Sequence, residues 1–155
     1  MVGISTLHIG ERHAFLHKKR KIRDLGTLVG KTSLANDVNS RDHAVGVAQT
    51  KAERFHAFIF KEDGMHDLGT LGGSFSGAYA VYSDLVGGVS EDRNRLRRGF
   101  LHDGRRMWDL NALVPYMKHW FITEATDINR NSEILAMACN TNGVSQPILL
   151  IPNNR

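Results

Sequence analysis

Apolar residues in this chain fall into short runs of four to six positions, rich in β-branched and aromatic side chains and separated by glycine, aspartate, asparagine and charged residues. That pattern predicts strands. Within His13-Ala14-Phe15-Leu16-His17 and His56-Ala57-Phe58-Ile59-Phe60, a period of two puts Phe15 and Phe58 on one face and Ala14, Leu16, Ala57 and Ile59 on the other. No window carries a sustained helical stripe. The best helix candidate, NALVPYM at 111–117, contains Pro115, which cannot donate within a helix. Asp63-Gly64 in KEDGM is a tight-hairpin signal, and Asp103-Gly104 in DGRRM repeats it. HKKRKI at 17–22 holds the same place without a glycine. Gly26, Gly69, Gly72 and Gly73 are predicted to supply left-handed backbone after a strand, and Asn39 and Asn129 to close Asx turns.

Four landmarks recur in fixed order. The first is a triplet: Ala14-Phe15-Leu16, Ala57-Phe58-Ile59 and Gly99-Phe100-Leu101. The second is Asp24-Leu25-Gly26, Asp67-Leu68-Gly69 and Asp109-Leu110-Asn111. The third is Ser33-Leu34-Ala35, Ser76-Gly77-Ala78 and Thr123-Glu124-Ala125, and the fourth is VGVA at 45–48, GGVS at 87–90 and LAMA at 135–138. Ser5 of VGIS also ends a fourth landmark, so the period runs 43 residues (5 to 48), 42 (48 to 90) and 48 (90 to 138), the last lengthened around VPYMKHW. Eight residues separate each such end from the next unit's first position: Ser5 to His13, Ala48 to His56, Ser90 to Arg98 and Ala138 to Gln146.

A period near 43 with four short strands matches a propeller blade or another stacked β-repeat. The predicted fold is all-β. It is one β-repeat domain over 1–155 with about three four-stranded units, 6–48, 49–90 and 91–138, a leading strand at 2–5 and a trailing strand at 146–152. Such units cannot bury their faces alone, so recurring residues should mark positions where one unit covers the next. Propellers close with roughly four to eight blades. The shortfall predicts a partial ring, completed by self-association or belonging to a longer protein; an open β-solenoid or a sandwich is the alternative.

Composition narrows the class. At 155 residues, with 41% hydrophobic and 23% charged, the chain can build a core and is too apolar for wholesale disorder. Its net charge of +4 suits loose contact with anions without requiring nucleic acid. The single cysteine, Cys139, excludes an intrachain disulfide, and its setting in ILAMAC predicts a small buried hydrophobe. No run approaches the ~18 apolar residues of a transmembrane helix. The opening MVGISTLHIGERHAF lacks the charged-then-apolar layout of a signal peptide.

HAFLH at 13–17, DLGTL at 24–28, S.A.DVN at 33–39 and AVGVA at 44–48 together resemble the HAF repeat family of bacterial extracellular repeats. The ending, DLNALVP, W.ITEATDIN and ILLIP, is similar to that family's final repeat. The resemblance covers nearly the whole chain. It implies repeat architecture, an extracellular or periplasmic place, and no catalytic residue set. Without a leader in this chain, a cytoplasmic place stays open. Three departures stand out: only three complete units, a start in mid-repeat, and a third unit with Arg98 for histidine and Asn111 for glycine. The first two suggest a C-terminal piece of a longer protein or a shortened gene.

The recurring polar residues read as scaffold. His13 and His56 are equivalent and the third unit abandons them, so no metal and no other cofactor is expected. Asp24, Asp67 and Asp109 sit beside turns, where a carboxylate caps backbone N–H groups. Ser33, Ser76 and Thr123 match one another rather than a catalytic triad, and Gly72-Gly73 lacks the lysine of a phosphate loop. Phe15, Phe58 and Phe100 are expected in the core. Only the basic clusters escape the repeat: Lys18, Lys19, Arg20 and Lys21; Arg93, Arg95, Arg97 and Arg98; Arg105 and Arg106. They are the candidate contacts for an anionic partner, such as a polysaccharide or another polyanion. The expected function is a non-enzymatic structural or ligand-binding module. The alternatives are a propeller-pocket enzyme acting on glycans, as hydrolase or lyase, and a fragment with no role of its own.

Overall fold

The computed structural model describes residues 1–6, 10–114 and 117–153. Its elements are β1 (Val2–Thr6), β2 (Arg12–Lys18), β3 (Lys21–Asp24), β4 (Val29–Val38), β5 (Ala44–Thr50), β6 (Phe55–Lys61), β7 (Gly64–Asp67), β8 (Gly72–Tyr82), β9 (Leu85–Asp92), β10 (Arg97–His102), β11 (Met107–Asp109), α1 (Leu110–Leu113), β12 (Trp120–Ile128), β13 (Ile134–Asn140) and β14 (Ser145–Leu150). The protein is all-β apart from that one helical turn. Asp109 caps it by accepting the Asn111 N–H, and it ends before Val114. The expected helix at 111–117 is thus shorter and starts one residue earlier, while Pro115 lies outside the described residues.

The strands pair as four antiparallel ladders in chain order: β1-β2-β3, β4-β5-β6-β7, β8-β9-β10-β11 and β12-β13-β14. Single parallel pairs, Arg12 with Thr32 and Phe55 with Phe75, join the first three into one 11-stranded sheet, and the fourth stands as a separate 3-stranded sheet. Neither sheet closes into a barrel. Each full ladder takes the third and fourth landmarks of one unit and the first two of the next. The hydrogen-bonded unit is therefore half a repeat out of phase with the sequence unit. Among the described residues the first ladder has no counterpart of β4, and the fourth none of β7.

Alternation decides which side chains fill the joints between ladders. Ala14 and Leu16 meet Phe58 and Phe60 in the first joint; Ala57 and Ile59 meet Phe100 in the second; Ala80 meets Ile122, Ala125 and Ile134 in the third. Every pairing of a third with a fourth landmark carries a β-bulge after its alanine, at Ala35/Asp37, Ala78/Ala80 and Ala125/Asp127. The extra residue crowds the facing strand. A Cβ on Gly46 would lie 1.9 Å from the Leu34 carbonyl oxygen, and one on Gly88 2.1 Å from that of Gly77. The glycines of VGVA and GGVS thus sit where the facing backbone comes closest, while the fourth ladder carries Ala136 opposite the same bulge.

Three expectations need correction. Cys139 is only partly buried, because strand parity turns it to the outer face of β13, away from the joint filled by Ala136 and Ala138. Phe15 is only partly buried, since among the described residues no ladder packs on its side. Gly73 is not left-handed; a Cβ there would instead strike the backbone oxygen of Asp92 at 2.7 Å. The glycine-free first hairpin turns on Lys19 and Arg20, both at positive φ (47° and 63°). Gly26, Gly69 and Gly72 are left-handed as expected, and Asn39 and Asn129 each accept two backbone N–H groups in the following turn.

Candidate functional site

The recurring polar residues bond to one another and to backbone, the serines between ladders and the His–Asp pairs within one. Ser33 Oγ accepts the Ala14 N–H at 2.8 Å and donates to the Gly26 carbonyl. Ser76 Oγ does the same with Ala57, at 2.8 Å, and Gly69, at 2.5 Å. Both serines are buried. His13 Nδ1 lies 2.9 Å from the Asp24 carboxylate and His56 Nδ1 2.9 Å from that of Asp67. Each carboxylate also accepts the N–H of the following glycine, Gly26 or Gly69. The third joint reverses the stitch. Asn111, at the glycine position, accepts the Ile122 N–H at 2.7 Å and donates to the Ile122 carbonyl at 3.0 Å. Thr123 turns to the Met137 carbonyl. The His–Asp coupling, 11 residues apart in both units, was visible as a shared spacing but not as a contact.

The basic clusters divide between the two ends of the ladders. An antiparallel meander alternates its turns, so the β2–β3 and β10–β11 hairpins, carrying Lys18 to Lys21 and Arg105 with Arg106, share one rim. The β9–β10 turn, carrying Arg93, Arg95, Arg97 and Arg98, lies at the opposite end. There Arg98 Nε donates to Asp92 at 2.9 Å, Arg97 lies 3.7 Å from Glu124, and Arg98 stands over the half-exposed Phe121 ring. Arg106 lies flat on Trp108, 3.3 Å from the ring centre, and the indole N–H donates to Asp103.

Lys18 and Lys21 enter a cleft of about 330 Å³ between the first and second ladders. Arg23, Arg41 and Lys61 join them, against only Asp42 and Glu62. Arg23 sits 4.7 Å above the Phe60 ring, and both line the cleft. Lys18 pairs with Asp42, while Arg41 and Lys61 share Asp84, at 3.1 and 3.5 Å. Arg23 closes the basic run at 17–23 but was not singled out, while Arg41 and Lys61 were missed because they lie in separate stretches outside any basic run.

An equivalent cleft of about 310 Å³ between the second and third ladders is lined by Asp63, Asp67, Asp84, His66 and His102. Its carboxylates are engaged. Asp63 lies 2.9 Å from His66, Asp67 binds His56, and Asp84 takes Arg41. The His66 contact holds Asp63 below the ordinary carboxylate range, and the Arg41 guanidinium does the same for Asp84. Burial pushes His102 down, and its Nδ1 accepts the Gly104 N–H. Among the described residues no three His, Cys, Asp or Glu side chains are grouped to hold a metal ion, and no helix is long and apolar enough to cross a membrane.

No family model matches the chain, and no curated protein matches it significantly.

Proposed function

We propose that this chain is a non-catalytic HAF-type β-repeat module, an arc of propeller-like stacked ladders, that binds anionic polymers at the cleft between its first two ladders, in an extracellular or periplasmic setting. The carrying observation is the concentration of five cations against two carboxylates in that cleft. The recurring serines are buried at the joints, and each recurring histidine is already paired with the recurring aspartate of its own ladder. The partner class is a polyanion such as an acidic polysaccharide, met by charge and by the Arg23–Phe60 platform, with affinity falling as salt rises.

The glycan-enzyme alternative needs one carboxyl held protonated near neutral pH beside an ionised one. In the second cleft Asp63 and Asp84 shift the other way, which favours binding over hydrolysis. The test is an array of acidic and neutral polysaccharides scored for binding and for product release. Binding to acidic members without turnover is expected, reduced at least tenfold in the triple variant K18E/K21E/R23E, each substitution at an exposed position. Turnover, or triple-variant binding equal to the parent, overturns the reading.

A further inference from the structure

The two outer faces of the stack carry the residues that its inner joints bury. On the outer face of the fourth ladder, Leu135 is 42% exposed, Leu149 is 56% exposed and Pro147 is exposed. Their counterparts in the second ladder, Val45, Ile59 and Ala57, are buried against the third ladder. On the outer face of the first ladder, Met1 is 72% and Ile22 71% exposed, with Phe15 partly covered between them. Their counterparts elsewhere are covered. Ala44 and Val86 are buried, Phe58 and Phe100 are buried, and Met65 and Met107 pack onto the first and second joints.

The first two joints set a Val45/Ala57/Ile59-type face against a Phe58/Met65-type face, and among the described residues one face of each kind has no ladder packed on it. We propose that the fourth ladder of one copy docks head to tail on the first ladder of a second copy, repeating an internal joint between molecules. This is independent of the anion reading, since the basic cleft lies at a rim and these faces lie at the ends. Unlike faces in contact make a heterologous interface, which closes into a ring or propagates. Four ladders per copy give eight in a pair, and radial β-rings close with about four to eight units. The pair is the expected assembly.

The intermolecular joint is smaller than an internal one. In the second joint Asp37 of β4 accepts the Val81 N–H of β8 at 2.8 Å. Asp127 repeats the local half of that arrangement with Ile128, but the first ladder has no β8-type strand to complete it. Apolar contact carries the association, which is reversible.

The test uses two charge substitutions at exposed positions, I22E on the first ladder and L149E on the fourth. Sedimentation velocity at sub-millimolar concentration should show pairs for the parent chain and monomers for each variant alone, with association weakened roughly hundredfold or more. An equal mixture should recover open pairs through one intact joint, weaker than the parent's two-joint ring, because the L149E copy keeps its first-ladder face and the I22E copy keeps its fourth-ladder face. Unchanged circular dichroism and melting temperature establish that both variants fold. A monomeric parent chain, pairing by I22E alone (which would mean fourth ladder on fourth ladder), or a mixture that stays monomeric overturns the proposal.

Discussion

Replacing Ser76 by alanine tests whether the recurring hydroxyl is scaffold. Ser76 is buried, accepts the Ala57 N–H at 2.8 Å and donates to the Gly69 carbonyl at 2.5 Å, so one oxygen ties the second ladder to the third. Alanine deletes both bonds and leaves the Ala57 N–H, on a fully buried residue, with no partner. Each lost bond is worth about 1 kcal/mol net, and each stranded polar group adds a desolvation penalty, for a total of about 2–4 kcal/mol. In a chain of this length that lowers the melting temperature by roughly 5–15 °C. Urea unfolding followed by circular dichroism and tryptophan fluorescence measures it. S74A is the control: its hydroxyl makes a single solvent-exposed bond, to the Glu91 carboxylate, so its effect should stay within about 0.5 kcal/mol. S33A should match S76A because it makes the same two contacts in the preceding joint. The two should add, as they sit on neighbouring ladders, stacked faces lying about 10 Å apart. If S76A unfolds at the same urea concentration as S74A, the hydroxyl does not hold the joint and the reading of the recurring residues as scaffold fails.

Three further outcomes follow from the same geometry. G46A and G88A drive a Cβ to 1.9 and 2.1 Å from a backbone oxygen and should cost about 3 kcal/mol or more, whereas G3A meets only the movable Phe15 ring at 3.0 Å and should cost under about 1, all read from urea midpoints. N111G restores the glycine of the first two units but deletes the third-joint stitch to Ile122, so it should destabilise by about 1–3 kcal/mol in the same assay. Burial tends to raise Asp24, but the Gly26 N–H and His13 together hold it below its ordinary value, as the Leu96 N–H does for Asp92 and Arg41 for Asp84. Depressed carboxylates stabilise the fold above the unfolded-state value and lose that contribution as pH falls through the folded one. Melting temperature should therefore hold from neutrality to about pH 4 and fall below it; a loss already complete at pH 5 would contradict the assignment.

Most of the fold was readable because each unit repeats its constraints. Period-two runs gave the strands, and Phe58 against Ala57 and Ile59 gave the faces before any partner was known. What escaped was the phase. Nothing in the linear order says whether VGVA ends a ladder or sits inside one; pairing in space sets that, and it places the break before Val29 and Gly72. Parity also went unread at the ends, where Phe15 and Cys139 belong to apolar runs but face outward. At the candidate site, basic runs exposed Lys18 and Lys21. Arg23 stands on the same hairpin, and Arg41 and Lys61 are brought beside them only by stacking the second ladder on the first.

The two basic ends are built differently, and that separates binding from scaffolding. At the cleft rim, Lys18 and Asp42 are both about half exposed, 52% and 41%. An exposed pair of that kind contributes little, about 0–1 kcal/mol, so a polyanion can take Lys18 from Asp42 at small cost. At the opposite end Arg98 and Asp92 are each only 19% exposed, and the Asp92 carboxylate also accepts the N–H groups of Asn94 and Leu96. That arrangement organises the β9–β10 turn, and removing the arginine strands a carboxylate already committed to the turn. R98A should therefore lower the melting temperature by several degrees and leave polyanion affinity within about twofold of the parent, while K21E, exposed and at the cleft mouth, should do the reverse. Thermal melts and salt titrations of binding on the same two variants decide it. If R98A weakens binding as much as K21E does, the anion surface extends to both ends of the ladders and is not confined to the cleft.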